Sequence, residues 1–153
     1  MNRKFELTSD FKMFFGTKLF RIKAVVAFGN VEAGELGGYI ETEKNLDQSG
    51  DAWVSGDAWV SGNAQVYGDA WVYGNAQVSK TTHLFQLGAI GSRHGFTTFF
   101  RDKTKEIYVA CGCFLGSIDE FEKAVTECHA GTKHETTYKL AIQLAKSQIE
   151  LDD

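Results

Sequence analysis

The sequence predicts a mainly β protein, a stack of very short strands followed by a small α+β unit, on three observations. Residues 50–79 read GDAWVS, GDAWVS, GNAQVY, GDAWVY, GNAQVS, five six-residue units without an insertion. A fixed short period means one structural unit stacked on itself. Within each unit Ala and Val fall two apart, on one face of an extended strand. The Gly-Asp and Gly-Asn pairs tolerate positive φ and mark corners, so no strand is long enough for a hairpin meander. After Lys80 the period is lost, and two strands and then helical spacing follow.

Val54, Val60, Val66, Val72 and Val78 are the expected interior, with Ala52, Ala58, Ala64, Ala70 and Ala76 beside them. The pattern resembles the hexapeptide repeat of left-handed parallel β-helix proteins. That resemblance implies three units to a triangular coil, so that positions eighteen apart stack on one face. Trp53 would then lie under Trp71, Ser55 under Tyr73, Trp59 beside Gln77 and Ser61 beside Ser79, with Gln65 and Tyr67 on the third side. Trp53, Trp59, Trp71, Tyr67 and Tyr73 are expected to face outward as an aromatic interface. A subunit contact, cover by another part of the chain and a ligand platform are the open uses of that face. A homo-oligomer is expected, a trimer first, because solenoids of this type commonly assemble around a threefold axis.

Around the repeat, residues 1–30 form an N-terminal strand region, 31–79 the β-helix and 80–153 the α+β unit. The apolar bursts Phe11–Phe15 and Leu19–Val26 are separated by Gly16-Thr17-Lys18, and the second reads as a strand running into the repeat. Ile40 and Leu46 are six apart, but Leu46 and Val54 are eight apart, which places a small insertion near Gln48. His83–Gly91 is apolar with two glycines. Phe96–Arg101 and Ile107–Phe114 read as strands around the polar turn Asp102-Lys103-Thr104-Lys105. Ser117 to Glu120 is a capping box that opens a helix carrying Phe121, Ala124, Val125 and Cys128, and Gly131 stops it. A second helix is expected from Glu135 to Glu150, buried along Tyr138, Ala141, Ile142, Ala145 and Ile149.

Composition narrows the function. At 153 residues with 43 % hydrophobic content, one globular domain or two small ones sharing a core are expected. No run approaches the ~18 apolar residues of a membrane span, and MNRKFELTSD has no apolar signal core. Three cysteines without a signal point to a reducing compartment. Residues 1–30 carry six Lys/Arg against two acids, whereas 31–79 carry eight acids and only Lys44. An acidic repeat is unsuited to nucleic-acid phosphate, so no direct nucleic-acid binding is expected.

Several stretches resemble a family of small accessory proteins of bacteriophages and prophages: Leu19–Ala24 (LFRIKA), Leu36–Leu46 (LGGYIETEKNL), the repeat, Gly91–Arg101 (GSRHGFTTFFR) and Cys111–Phe121 (CGCFLGSIDEF). The resemblance implies expression in the cytoplasm of a bacterial host. Such proteins include many that blunt host defence, by binding a defence protein such as a CRISPR effector or by sequestering a nucleotide signal. Virion or scaffolding roles also occur. The family carries no catalytic residues to transfer, and no cofactor.

For chemistry, hexapeptide acyltransferases and carbonic anhydrases rely on His in or beside the repeat, and residues 31–79 contain none. Cys111-Gly112-Cys113, Cys128-His129 and His134 suggest zinc, but a single C-x-C and a cysteine on the helix stripe fit core packing better. The best ligand site is Ser92, Arg93 and His94 after Gly88-Ala89-Ile90-Gly91, with Thr97, Thr98 and Arg101 close behind. Glycines let backbone N–H groups converge on an anion, and Ser, Thr and Arg donate to phosphate oxygens. The competing use of that stretch is a tight connection between two parts of the fold. The stretch lacks a Walker ending and predicts no nucleotide hydrolysis. The expected partner is a small anionic nucleotide, or a host defence protein meeting Trp53, Trp71, Tyr73 and the acidic coils.

Overall fold

A computed structural model describes residues 3–91, 95–112 and 114–152. The chain opens with a hairpin, β1 (Phe5–Phe14) and β2 (Thr17–Ala24), joined by Phe15-Gly16 with φ of 48° and 81°. β3 (Leu36–Ile40) adds antiparallel to β2. Four two-residue strands then come from the repeat: β4 (Trp53–Val54), β5 (Trp59–Val60), β6 (Trp71–Val72) and β7 (Gln77–Val78). β8 (Leu84–Ile90), β9 (Gly95–Arg101), β10 (Ile107–Cys111) and β11 (Phe114–Ser117) follow, and then helices α1 (Ile118–His129) and α2 (Lys133–Gln148).

The architecture is mixed α/β with several separate sheets, and it corrects the expectation of a mainly β protein built on a left-handed parallel β-helix. A five-stranded mixed sheet runs β1-β2-β3-β5-β7, a four-stranded antiparallel sheet runs β11-β10-β9-β8, and β4-β6 form a two-stranded parallel pair. The physical reason is strand length. Each repeat unit supplies a strand of two residues, while the flanking strands run from four to ten. Longer strands carry more ladder hydrogen bonds, so they set the sheets, and β5 and β7 become extensions of the N-terminal hairpin sheet.

Register within the repeat is parallel. Trp53 pairs with Trp71 and Trp59 with Gln77, both eighteen residues on. Tyr39 pairs with Trp59 and Leu46 bridges Val66, each twenty residues on, which accounts for the two extra residues near Gln48. The Gln48 side chain accepts from Lys4 N (2.8 Å) and Phe5 N (3.3 Å), so the insertion anchors the start of β1.

The five repeat valines have no exposed surface, and Phe5, Ile22, Ile40 and Leu46 join them in one core. Phe100 and Ala110 from the antiparallel sheet complete it. A second core lies on the other face of that sheet, where Phe99 and Val109 meet Phe121 and Val125 of α1 and Tyr138, Ala141, Ile142 and Ala145 of α2. Strand alternation in β9 therefore sends Phe100 to the repeat and Phe99 to the helices. The capping box forms as Ser117 N donates to Glu120 Oε1 (3.0 Å) and Glu120 N donates to Ser117 Oγ (3.2 Å). Glu120 is thereby held below its ordinary pKa, chiefly by the Ser117 backbone N–H. Gly131, at φ 76°, separates the two helices.

Candidate functional site

The tryptophans do not look outward. Trp53 has no exposed surface and Trp59 is 6 % exposed. Phe28 lies 5.2 Å from the Trp53 ring, edge-on. A Cβ on Gly37 would lie 2.6 Å from Trp53 Cζ2 and 2.6 Å from Val54 O, so glycine is what lets β3 close over the indole. Phe14 covers Trp59 at 4.7 Å. The C-terminal sheet covers the other half of this face. Trp71 N donates to Thr98 Oγ1 (3.3 Å), Tyr73 OH donates to Phe114 O (3.1 Å), and both rings are partly buried. Tyr67 alone of the five is exposed, at 45 %. The chain itself thus encloses Trp53 and Trp59 and partly covers Trp71 and Tyr73, because the hairpin and the antiparallel sheet need apolar surface to pack on.

Of the expected ligand residues, the described ones point to internal roles. Ser92, Arg93 and His94 lie outside the described residues. Thr97 and Thr98 are 1 % exposed and already bonded, Thr97 Oγ1 to Cys111 Sγ (3.4 Å) and Thr98 Oγ1 to Trp71 N. Arg101 is carried elsewhere. At the end of β9 its Nε donates to Gln77 O (3.0 Å) and its Nη1 to Leu151 O (3.3 Å), tying the repeat to the segment after α2. Cys128 is exposed instead of buried on the helix stripe, Cys111 is partly buried, and Cys113 lies outside the described residues. Among the described residues, no three His, Cys, Asp or Glu side chains gather in a metal-sized group.

Arg101 instead lines a cleft of about 290 Å³ between the hairpin tip and the repeat. Phe14, Phe15, Thr17 and Leu19 form the hairpin wall, and Trp59, Ser61 and Ser79 form the repeat wall. A neighbouring depression of about 320 Å³ shares Phe14, Leu19 and Trp59 and adds Lys12, Asp57, Asn75 and Lys103. Across the two, Arg101, Lys12 and Lys103 are basic and Asp57 is acidic. A cationic, ring-lined groove therefore sits against a segment that is otherwise acidic.

Ser79 is held from below by His83, which has no exposed surface. His83 Nδ1 accepts from Ser79 N (3.0 Å), so the hydrogen-bond network assigns the ring proton to Nε2, which donates to Asp152 O (2.7 Å). Ser79 Oγ lies 3.2 Å from the same Nδ1. The basic lone pair is already engaged by a backbone N–H, which suits His83 to orienting Ser79 and not to abstracting its proton.

Sequence reasoning passed over Phe14, Phe15, Ser61, Ser79 and His83 as site residues. Residue spacing carries a signal for one group only: Ser61 and Ser79 are eighteen apart, as are Trp59 and Gln77. No local pattern announces the hairpin wall or the arrival of Arg101. Among the described residues no helix is long and apolar enough to cross a membrane. No protein-family model matches the chain, and no curated protein matches it.

Proposed function

We propose that the protein works by binding, without catalysis, and holds a small anionic nucleotide in the cleft between the hairpin and the repeat. The observation that carries this reading is the meeting of Trp59 and Phe14 with Arg101, Ser61 and Ser79 around one cavity. Aromatic rings offer a surface for a flat base, and the Ser61 and Ser79 hydroxyls offer donors for phosphate oxygens beside the Arg101 guanidinium, which is 2 % exposed and held by Gln77 O and Leu151 O. The volume lies at the small end of ligand sites, which suits a single nucleotide. In the setting implied by the phage-protein resemblance, the host cytoplasm, such a protein would withdraw a nucleotide immune signal.

The protein-binding alternative, through Trp53, Trp71, Tyr73 and the acidic coils, has less support, since Trp53 is enclosed and Trp71 and Tyr73 are partly buried. The cleft reading is tested by calorimetric and tryptophan-emission titration with a panel of mono-, di- and cyclic nucleotides. A saturable change is expected with at least one of them, with the emission component lost in Trp59→Phe while Trp53 and Trp71 remain. Ligand at a hundred times Kd would stabilise the fold by about 2.7 kcal/mol, readable as a raised Tm. Failure of every nucleotide to bind at millimolar concentration would overturn the reading.

A further inference from the structure

We propose that Phe15 is the base-reading residue of this cleft, so that the ligand must carry an unsaturated ring as well as an anionic group. This deepens the nucleotide reading above and rests on it. Phe15 is the first residue of a two-residue hairpin loop, closed by the Phe14–Thr17 pair, and both loop residues have positive φ. Loops of this kind strongly favour Asn, Asp or Gly at that position, because a Cβ with a bulky side chain is strained in the left-handed region. Phe15 is also 90 % exposed, so its ring gains almost nothing from burial in the free protein. Two unfavourable features thus coincide at one position, and neither helps the fold.

The ring's position gives it a use. It stands 4.6 Å from Phe14 at 79°, Phe14 lies on Trp59, and Phe15 lines the same cleft as Arg101. The wall therefore runs from a buried indole through a half-buried ring to an open one, with the guanidinium in the same cavity. A base entering the cleft would cover the open ring and leave its phosphate beside the two serines. A sugar phosphate satisfies only the second half of that arrangement.

Wild type, Phe15→Asn and Phe15→Trp are compared by calorimetric titration with adenosine monophosphate and with ribose 5-phosphate, alongside thermal unfolding. Phe15→Asn turns the loop into Asn-Gly, so Tm is expected to rise while affinity for adenosine monophosphate falls about tenfold. Affinity for ribose 5-phosphate is expected to stay unchanged, and Phe15→Trp is expected to keep the wild-type preference. If wild type binds adenosine monophosphate and Phe15→Asn binds it equally well, this inference fails and the cleft reading stands. Equal affinity of wild type for the two ligands would also overturn base reading. If wild type binds neither of them nor any other nucleotide, the cleft reading fails and takes this inference with it.

Discussion

In the repeat, Val54, Val60, Val66, Val72 and Val78 have no exposed surface, and even Trp53 is wholly enclosed. In the β1–β2 hairpin, Phe11, Met13 and Phe15 stand 45, 60 and 90 % exposed. Part of the repeat shares a sheet with the hairpin, since β5 and β7 continue the order that begins at β1, while β4 and β6 pair apart. The two regions nevertheless distribute apolar surface in opposite ways. The repeat fills its interior with alanine and valine, and Phe28 and Phe14 from outside it cover Trp53 and Trp59. The hairpin gives up its inner half, Phe5 and Ile22, to the core and extends its outer half beyond it. The cleft lies where the two regimes meet, with Trp59 belonging to the first and Phe15 to the second.

The contrast can be broken from the buried side with the largest effect. Trp53→Ala removes an enclosed indole packed on Phe28, and about 3–5 kcal/mol of stability should be lost in urea unfolding. A loss below about 1 kcal/mol, or a change of oligomeric state in its place, would mean that Trp53 is a surface residue after all.

A smaller effect is expected at Lys4, whose Nζ donates to Ala52 O (2.6 Å) beside the repeat. Burial lowers its pKa from 10.5 to about 8, against the opposing pull of Asp47, Asp51 and Asp69. Between these two values the unfolded chain keeps the proton that the folded chain releases, so stability should rise with pH across that window. Subtracting the pH profile of Lys4→Met from that of wild type isolates the slope, and a flat or falling difference would contradict it. The smallest effect belongs to the open side. Met13→Ser should change stability by less than about 0.5 kcal/mol, and a larger loss would show that the outer hairpin is covered in solution.

Much of the fold could be read from residue spacing, for identifiable reasons. The repeat valines, the capping box at Ser117 and the stripe from Tyr138 to Ile149 are local patterns, whose spacing follows from strand and helix geometry. The error in fold class came from giving the repeat more weight than its two-residue strands can carry. Among the described members of residues 92–101, Thr97, Thr98 and Arg101 do not share one loop. Thr97 and Thr98 lie on a central strand of a sheet packed on both faces, where hydroxyls are consumed by internal bonds. Phe15 could be read as a turn residue, but its use depends on a cleft that adjacent residues do not specify.

The period of six by itself determined that the alanines and valines of the repeat turn inward together, because alternation follows from backbone geometry, and the pairing eighteen positions apart is what the hexapeptide-repeat resemblance implied. Only the tertiary structure decided what covers Trp53 and Trp59, and that Arg101 reaches a cleft walled by a hairpin more than eighty residues earlier. Those outcomes depend on which apolar faces meet, and burial is non-directional, so spacing along the chain does not encode it.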